Sequence, residues 1–327
     1  MKKQTVLRIL TWLSILSVLA LMSIVLWSVI SSGRQTRASL LWLQGIQSFA
    51  IFILPPILCA LLWYKKDWKR SLGLSAQRSF SAAVLQRSGP TTKWSFSAAI
   101  LLMLIVSPGI SLLSYWNQSI TFPPCLAELE SSLRAMEDEA ADLILLFAKA
   151  DNVEILIVNL FVMAILPAFG EELTFRGLLF TFFRPTAQRS YSDSGLSAQR
   201  SASVAVCQPV GRSASLAVWF SAILFSAVHM QFFGFIPRML LGALFGYVYL
   251  WSGSLWLPII MHATNNAFAV IMYNVFDWCG KDPATLDTFG TGDTLWVGIL
   301  SLVLTAIGIY FFRLLLRRTK NGSSLTY

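Results

Sequence analysis

Charge is what this sequence has least of. Only 13% of its 327 residues are Asp, Glu, Lys or Arg, while 56% are hydrophobic; a soluble globular domain carries roughly 25% and 45–50%. A soluble domain of ordinary composition is therefore excluded, and the chain reads as an integral membrane protein in contact with the lipid bilayer. Polar alternation is missing as well. The apolar residues come in continuous runs, which excludes a closed β-barrel, whose strands alternate. Cysteine is scarce at four residues, too few for a disulfide scaffold, although Cys125 and Cys279 fall in loops expected on one face and form a candidate pair. Histidine is scarcer still, with two in the chain.

What is present in quantity is hydrophobic length. A hydrocarbon core of about 30 Å needs roughly 20 apolar residues per helix. That criterion predicts about eight transmembrane helices, near 9–30, 38–64, 94–116, 153–180, 214–234, 237–252, 255–276 and 294–315. The fold class is thus all-α, a polytopic membrane helical bundle in a single domain spanning residues 1–327. Pro55-Pro56 in the second span and Pro167 in the fourth each offer a local reason for a break. The formal net charge of +9 suggests nucleic acid in a soluble protein. Here the positive-inside rule accounts for it, so no nucleic-acid partner is expected: with both termini cytoplasmic, the outer side keeps only Arg34, Arg37, Arg134, Lys149, Arg238 and Lys281. The first segment is too long for a signal-peptide core and reads as a retained anchor.

Two inner loops, near 65–93 and 184–213, are of low complexity. GLSAQRS occurs at Gly73 to Ser79 and again at Gly195 to Ser201, with shorter relatives at Leu85 to Ser88 and Ala187 to Ser190. Such Ser-, Gln- and Arg-rich stretches bury no core and read as insertions. The outer loop between spans three and four sets Glu128, Glu130, Glu137, Asp138, Glu139 and Asp142 among Leu126, Leu129, Leu133, Leu143 and Leu146. That spacing predicts an amphipathic surface helix.

Ionisable side chains inside a span cost about 2.5–3.5 kcal/mol each on insertion scales, so the few that are kept are candidates for function. The fourth span ends in Glu171-Glu172-Leu-Thr-Phe-Arg176. Glu172 and Arg176 are four apart with the acid first, the favourable order for a helical ion pair. Glu171 lies about 100° round the helix and has no such partner. Both histidines also fall in spans: Phe225-Ser-Ala-Val-His229 in the fifth, His262-Ala-Thr-Asn-Asn266 in the seventh. Each motif sets its two end residues on one helix face.

In order and type these three motifs resemble the E-E-x-x-x-R, F-x-x-x-H and H-x-x-x-N signatures of the type II CAAX prenyl protease and bacteriocin-processing family of intramembrane endopeptidases. The resemblance covers about residues 153–276, the core motif region. It implies that Glu171 is a general base acting on water and that His229 helps hold or polarise that water. It further implies that His262 and Asn266 donate to the oxyanion, with Glu172, Arg176 and Phe225 in support. Glu171, His229 and His262 also make a possible zinc set, open at a fourth position for water. The implied substrate is a membrane-associated or leader-type peptide, and the expected location a bacterial inner membrane. A catalytically inactive membrane scaffold of the same fold is one alternative. A transporter using the same polar residues is another, disfavoured because no internal repeat of spans is visible.

Overall fold

Apolar runs surrounded by lipid can satisfy their backbone only within the segment. Accordingly, the residues described by the computed structural model, 3–31, 36–75, 90–183, 212–286 and 288–321, contain helices and no strand. We label the helices α1 (Lys3–Ser31), α2 (Arg37–Ser71), α3 (Pro90–Gln118), α4 (Ala127–Ala148), α5 (Val153–Phe182), α6 (Arg212–Ala227), α7 (Phe235–Ser252), α8 (Trp256–Trp278) and α9 (Leu295–Asn321).

Every predicted span falls on a helix. Six helices, α1, α2, α3, α5, α7 and α9, are long and apolar enough to cross a membrane. The fifth expectation, 214–234, is corrected: α6 stops at Ala227, and the chain turns through Val228–Met230, Met230 at a φ of 55°. The seventh, α8, has 23 residues but breaks its hydropathy with His262, Thr264, Asn265, Asn266 and Asn274. The repeats beyond Ser75 and those within 184–211, together with Cys207, lie outside the described residues. Cys59, Cys125 and Cys279 are free thiols, so Cys125 and Cys279 are not paired here.

The prolines do not break their helices. Just before Pro55-Pro56 the helix widens into a π turn, Ser48–Ile53, closed by Leu54 N–H to Phe49 O. Just before Pro167 it does so again at Phe161–Ile165, closed by Leu166 N–H to Phe161 O. A wider turn shifts the hydrogen-bond register by one residue, which absorbs the missing proline N–H without interrupting the coil. A third π turn, Leu173–Leu179, follows Glu171-Glu172 directly.

Two apolar clusters hold the bundle. One joins α2, α5, α6 and α7 through residues such as Cys59, Leu173, Leu178, Val218, Phe225 and Tyr249. The other joins α3, α7, α8 and α9 through Met103, Phe245, Val248, Met261 and Phe312. α7 belongs to both. It approaches α6 closely because Gly242 and Gly246 leave no Cβ in the way: one at Gly242 would stand 3.1 Å from the Phe225 ring, and one at Gly246 would stand 3.0 Å from Val218 Cγ1.

α4 forms the expected surface helix and is pinned at both ends. Glu130 accepts from Phe122 N–H at 2.7 Å and from Arg134 Nη2 at 2.8 Å. First that amide and then the guanidinium hold its carboxyl below the usual range. Further along, Glu137 accepts from Phe233 N–H at 2.8 Å. At the far end Asn274, on α8, accepts from Ala150 N–H at 2.7 Å and donates to Ala148 O at 2.8 Å. Asn159, on α5, donates to the same Ala148 O at 3.0 Å. Between the pins Leu129, Met136, Leu143 and Leu146 remain exposed.

Candidate active site

The site is assembled where α5, α6, α7 and α8 meet. α5 supplies Glu171, Glu172 and Arg176 from the junction of its α-helical stretch, Leu166–Glu172, with the following π turn. The helical pair read from the spacing is present: Glu172 Oε1 and Arg176 Nη1 are 2.8 Å apart, and neither side chain is exposed. Arg176 also donates through Nη2 to Gly242 O on α7 at 2.7 Å. Its guanidinium lies 4.7 Å from the centre of the Phe225 ring and 5.7 Å from that of Phe245. Gly242 permits this, since a Cβ there would stand 3.2 Å from Arg176 Nη2.

His262 stands between the two glutamates. Its Nδ1 is 3.0 Å from Glu172 Oε1 and its Nε2 is 3.8 Å from Glu171 Oε2. The ring stacks on Phe245, centroids 5.3 Å apart with 24° between planes, and meets Phe225 edge-on at 5.6 Å. So Glu172, expected to pair with Arg176 in support of the helix, also bonds His262 and fixes which imidazole nitrogen faces Glu171. At 3.8 Å the second contact is too long for a direct hydrogen bond and short enough for one water to touch both groups. Glu171 Oε2 is buried and has no hydrogen-bond partner among the described residues.

His229 sits two residues past the end of α6, in the turn rather than in the helix. Its Nδ1 donates to Phe225 O at 2.8 Å, which leaves Nε2 as the acceptor of the neutral ring. Its ring meets the Phe225 ring at 5.2 Å, so Phe225 separates the two histidines and touches both. Asn266 lies one turn beyond His262 on α8. Its Nδ2 reaches Met163 O in the second π turn at 3.4 Å, and its Oδ1 accepts from Asn265 Nδ2 at 3.2 Å. The structure thus joins Glu171, Glu172, Arg176, Phe225 and His262 directly, His229 through Phe225, and Asn266 through α8. Among the described residues no group of three or more His, Cys, Asp and Glu is arranged so as to hold a metal ion, the candidate zinc set Glu171, His229 and His262 included.

One charged residue escaped the sequence reading. Arg238, counted there only as an outer-side charge, lies in the first turn of α7 within electrostatic reach of Glu171 and His229. Gly242 and Gly246, four apart on α7, were the one sequence signal that α7 packs tightly against the site.

No curated protein and no solved structure matches the chain. The resemblance carried by the three motifs is borne out over the segment that contains them all: residues 153–268, from the start of α5 to just past Asn266 on α8, match the model of the family described as type II CAAX prenyl endopeptidase Rce1-like.

Proposed function

We propose that the protein is an intramembrane endopeptidase that hydrolyses a peptide bond of a membrane-associated or leader-type peptide, in a bacterial inner membrane, with a water activated by Glu171. The observation that carries this reading is the buried, unpartnered Glu171 Oε2 facing His262 Nε2 across 3.8 Å. A carboxylate so placed is kept out of a low-dielectric bundle unless it serves chemistry or finds a partner.

Glu171 accepts a proton from the water as its oxygen bonds to the scissile carbonyl carbon. His229 Nε2, an acceptor while Nδ1–H is given to Phe225 O, accepts a hydrogen bond from the water and orients it. The carbonyl oxygen gains the negative charge and is met by the Asn266 amide and by His262 Nε2–H, which requires the imidazolium form of that ring because Nδ1–H is given to Glu172 Oε1. When the C–N bond breaks, Glu171 returns its proton to the leaving nitrogen, giving one new carboxylic acid and one amine. Glu172 and Arg176 hold His262 at its other nitrogen and take no part in bond making.

The test is cleavage of candidate membrane peptides by the purified protein in detergent. Glu171→Gln is expected to lower kcat by roughly 100- to 10,000-fold. His229→Ala and His262→Ala are expected to abolish measurable turnover while the unfolding midpoint shows that the fold persists. Near wild-type turnover by Glu171→Gln would sink the assignment. Partner binding that survives all three changes, without cleavage by the wild type, would favour a scaffold instead.

A further inference from the structure

Hydrolysis as described uses every charged group of the site except Arg238. Its Nη2 donates to Gln231 Oε1, a neutral amide, and its Nη1 is buried with no hydrogen-bond partner among the described residues. Glu137 on α4, the carboxylate that acts most strongly on it, has Oε2 committed to Phe233 N–H at 2.8 Å. Room for the guanidinium is kept by Gly234, where a Cβ would stand 3.1 Å from Arg238 Nη2 and 3.4 Å from Glu137 Oε1.

The contrast with Arg176 is informative. Both guanidinium groups are drawn into the bundle, but Arg176 bonds its own carboxylate and a backbone carbonyl, whereas Arg238 bonds a side-chain amide and feels Glu137, and less strongly Glu171, only at a distance. A buried guanidinium nitrogen with no anion bonded to it is unfavourable, and the guanidinium fork suits carboxylates and phosphates above other anions. The free nitrogen is also set at the start of α7, beside the turn that carries His229, within electrostatic reach of Glu171.

We propose that Arg238 is a specificity-determining residue, pairing its free Nη1 with a carboxylate carried by the substrate peptide close to the bond that Glu171 attacks. The inference rests on the hydrolytic reading above and narrows its substrate class to acidic peptides or peptides cut near a free C-terminus. A cation in this position attracts the anionic substrate and lowers KM; it is not needed to make the nucleophile.

The test uses the purified full-length protein and three versions of one candidate membrane peptide: one ending in a free carboxylate, one ending in an amide, and one ending in an amide with an Asp beside the expected cleavage point. The wild type is expected to favour one carboxylate-bearing version by roughly 10- to 100-fold in kcat/KM, mainly through KM. Which version it favours identifies the carboxylate as terminal or side-chain. Arg238→Gln is expected to raise KM for that version to the level of the plain amide, and Arg238→Lys to keep part of the preference. A wild type indifferent to the three versions, or a preference that survives Arg238→Gln, overturns the inference and leaves hydrolysis standing. If the wild type cleaves none of them, the hydrolytic reading fails first, and equilibrium binding then decides for Arg238. Carboxylate-dependent binding lost in Arg238→Gln supports the role, and equal binding of all three sinks it.

Discussion

Arg176 is fully buried and touches three elements at once: Glu172 on its own helix, Gly242 O on α7 and the Phe225 ring on α6. Replacing it with Met removes a charge but strands another, since Glu172 keeps only His262 opposite its carboxylate. Breaking a buried pair in this way costs about 3–5 kcal/mol, whereas replacing both partners by apolar groups of similar volume is often close to neutral. Arg176→Met is therefore expected to lower the unfolding midpoint in detergent sharply, and Glu172→Leu combined with Arg176→Met to recover much of the loss. Activity should not recover with it, because His262 Nδ1 then has no carboxylate to fix it. A double variant no more stable than the single one would show that packing, not the stranded charge, sets the cost. At this scale the sequence is legible for a physical reason: Glu171, Glu172, Arg176, His229 and His262 stand out because each is expensive where it lies. Arg238 does not stand out, because a positive residue at the start of a helix beside a loop is ordinary. Its importance lies in one buried nitrogen, which spacing cannot reveal. Nor can spacing pair His262 with Glu172 across 90 residues; it shows only the partner four residues along.

Hydropathy located every helix except α4, which amphipathic spacing located, but not how each one runs. The π turns at Ser48–Ile53, Phe161–Ile165 and Leu173–Leu179 leave apolar content unchanged, so only the prolines after the first two hint at them. The end of α6 at Ala227 was hidden because the turn that follows, Val228 to Gly234, is itself mostly apolar. α4 shows how polar residues on neighbouring helices place an element that buries little of its own. Its C-terminal exit is clasped by Asn274, which bonds Ala150 N–H, Ala148 O and Val270 O at 2.7, 2.8 and 2.8 Å and is itself fully buried. Asn274→Leu conserves volume but orphans the Ala150 amide, a loss of about 1–3 kcal/mol for a buried donor. The expected outcome is faster amide exchange at Ala148–Asp151 and easier proteolysis between α4 and α5, with exchange in α9 unchanged. Equal acceleration in α9 would mean that Asn274 supports the whole bundle rather than this one clasp.

Across the whole molecule the long-range contacts sort the chain into two ends. At one end Arg8 stacks on Trp63 and Tyr64 at 5.4 and 5.1 Å, Leu255 N–H bonds Gly73 O at 3.2 Å, and Arg313 stands 5.4 Å over Trp251. Lys65, Lys66, Lys69 and Arg70 lie on the same stretch of chain. At the other end Asn117 bonds Phe232 O and Ile236 N–H, Arg37 reaches the carbonyls of Leu146 and Phe147, and Trp278 donates to Ala150 O. The acids of α4 lie there. The bundle is thus basic at one end and acidic at the other, and we propose from the positive-inside rule that the basic end, with both termini, is cytoplasmic. Cys125 and Cys279 are exposed, and both belong to the acidic end, whereas Cys59 is fully buried. On a Cys207→Ser background, a membrane-impermeant maleimide added to sealed right-side-out vesicles is expected to label both. A protease-sensitive tag placed after Tyr327 should stay intact in the same vesicles. Silent cysteines with a digested tag would invert the orientation and leave the bundle unchanged. Labelling of Cys125 without Cys279 would contradict the bundle itself, because the clasp around Ala148–Ala150 puts the end of α8 on the same side as α4.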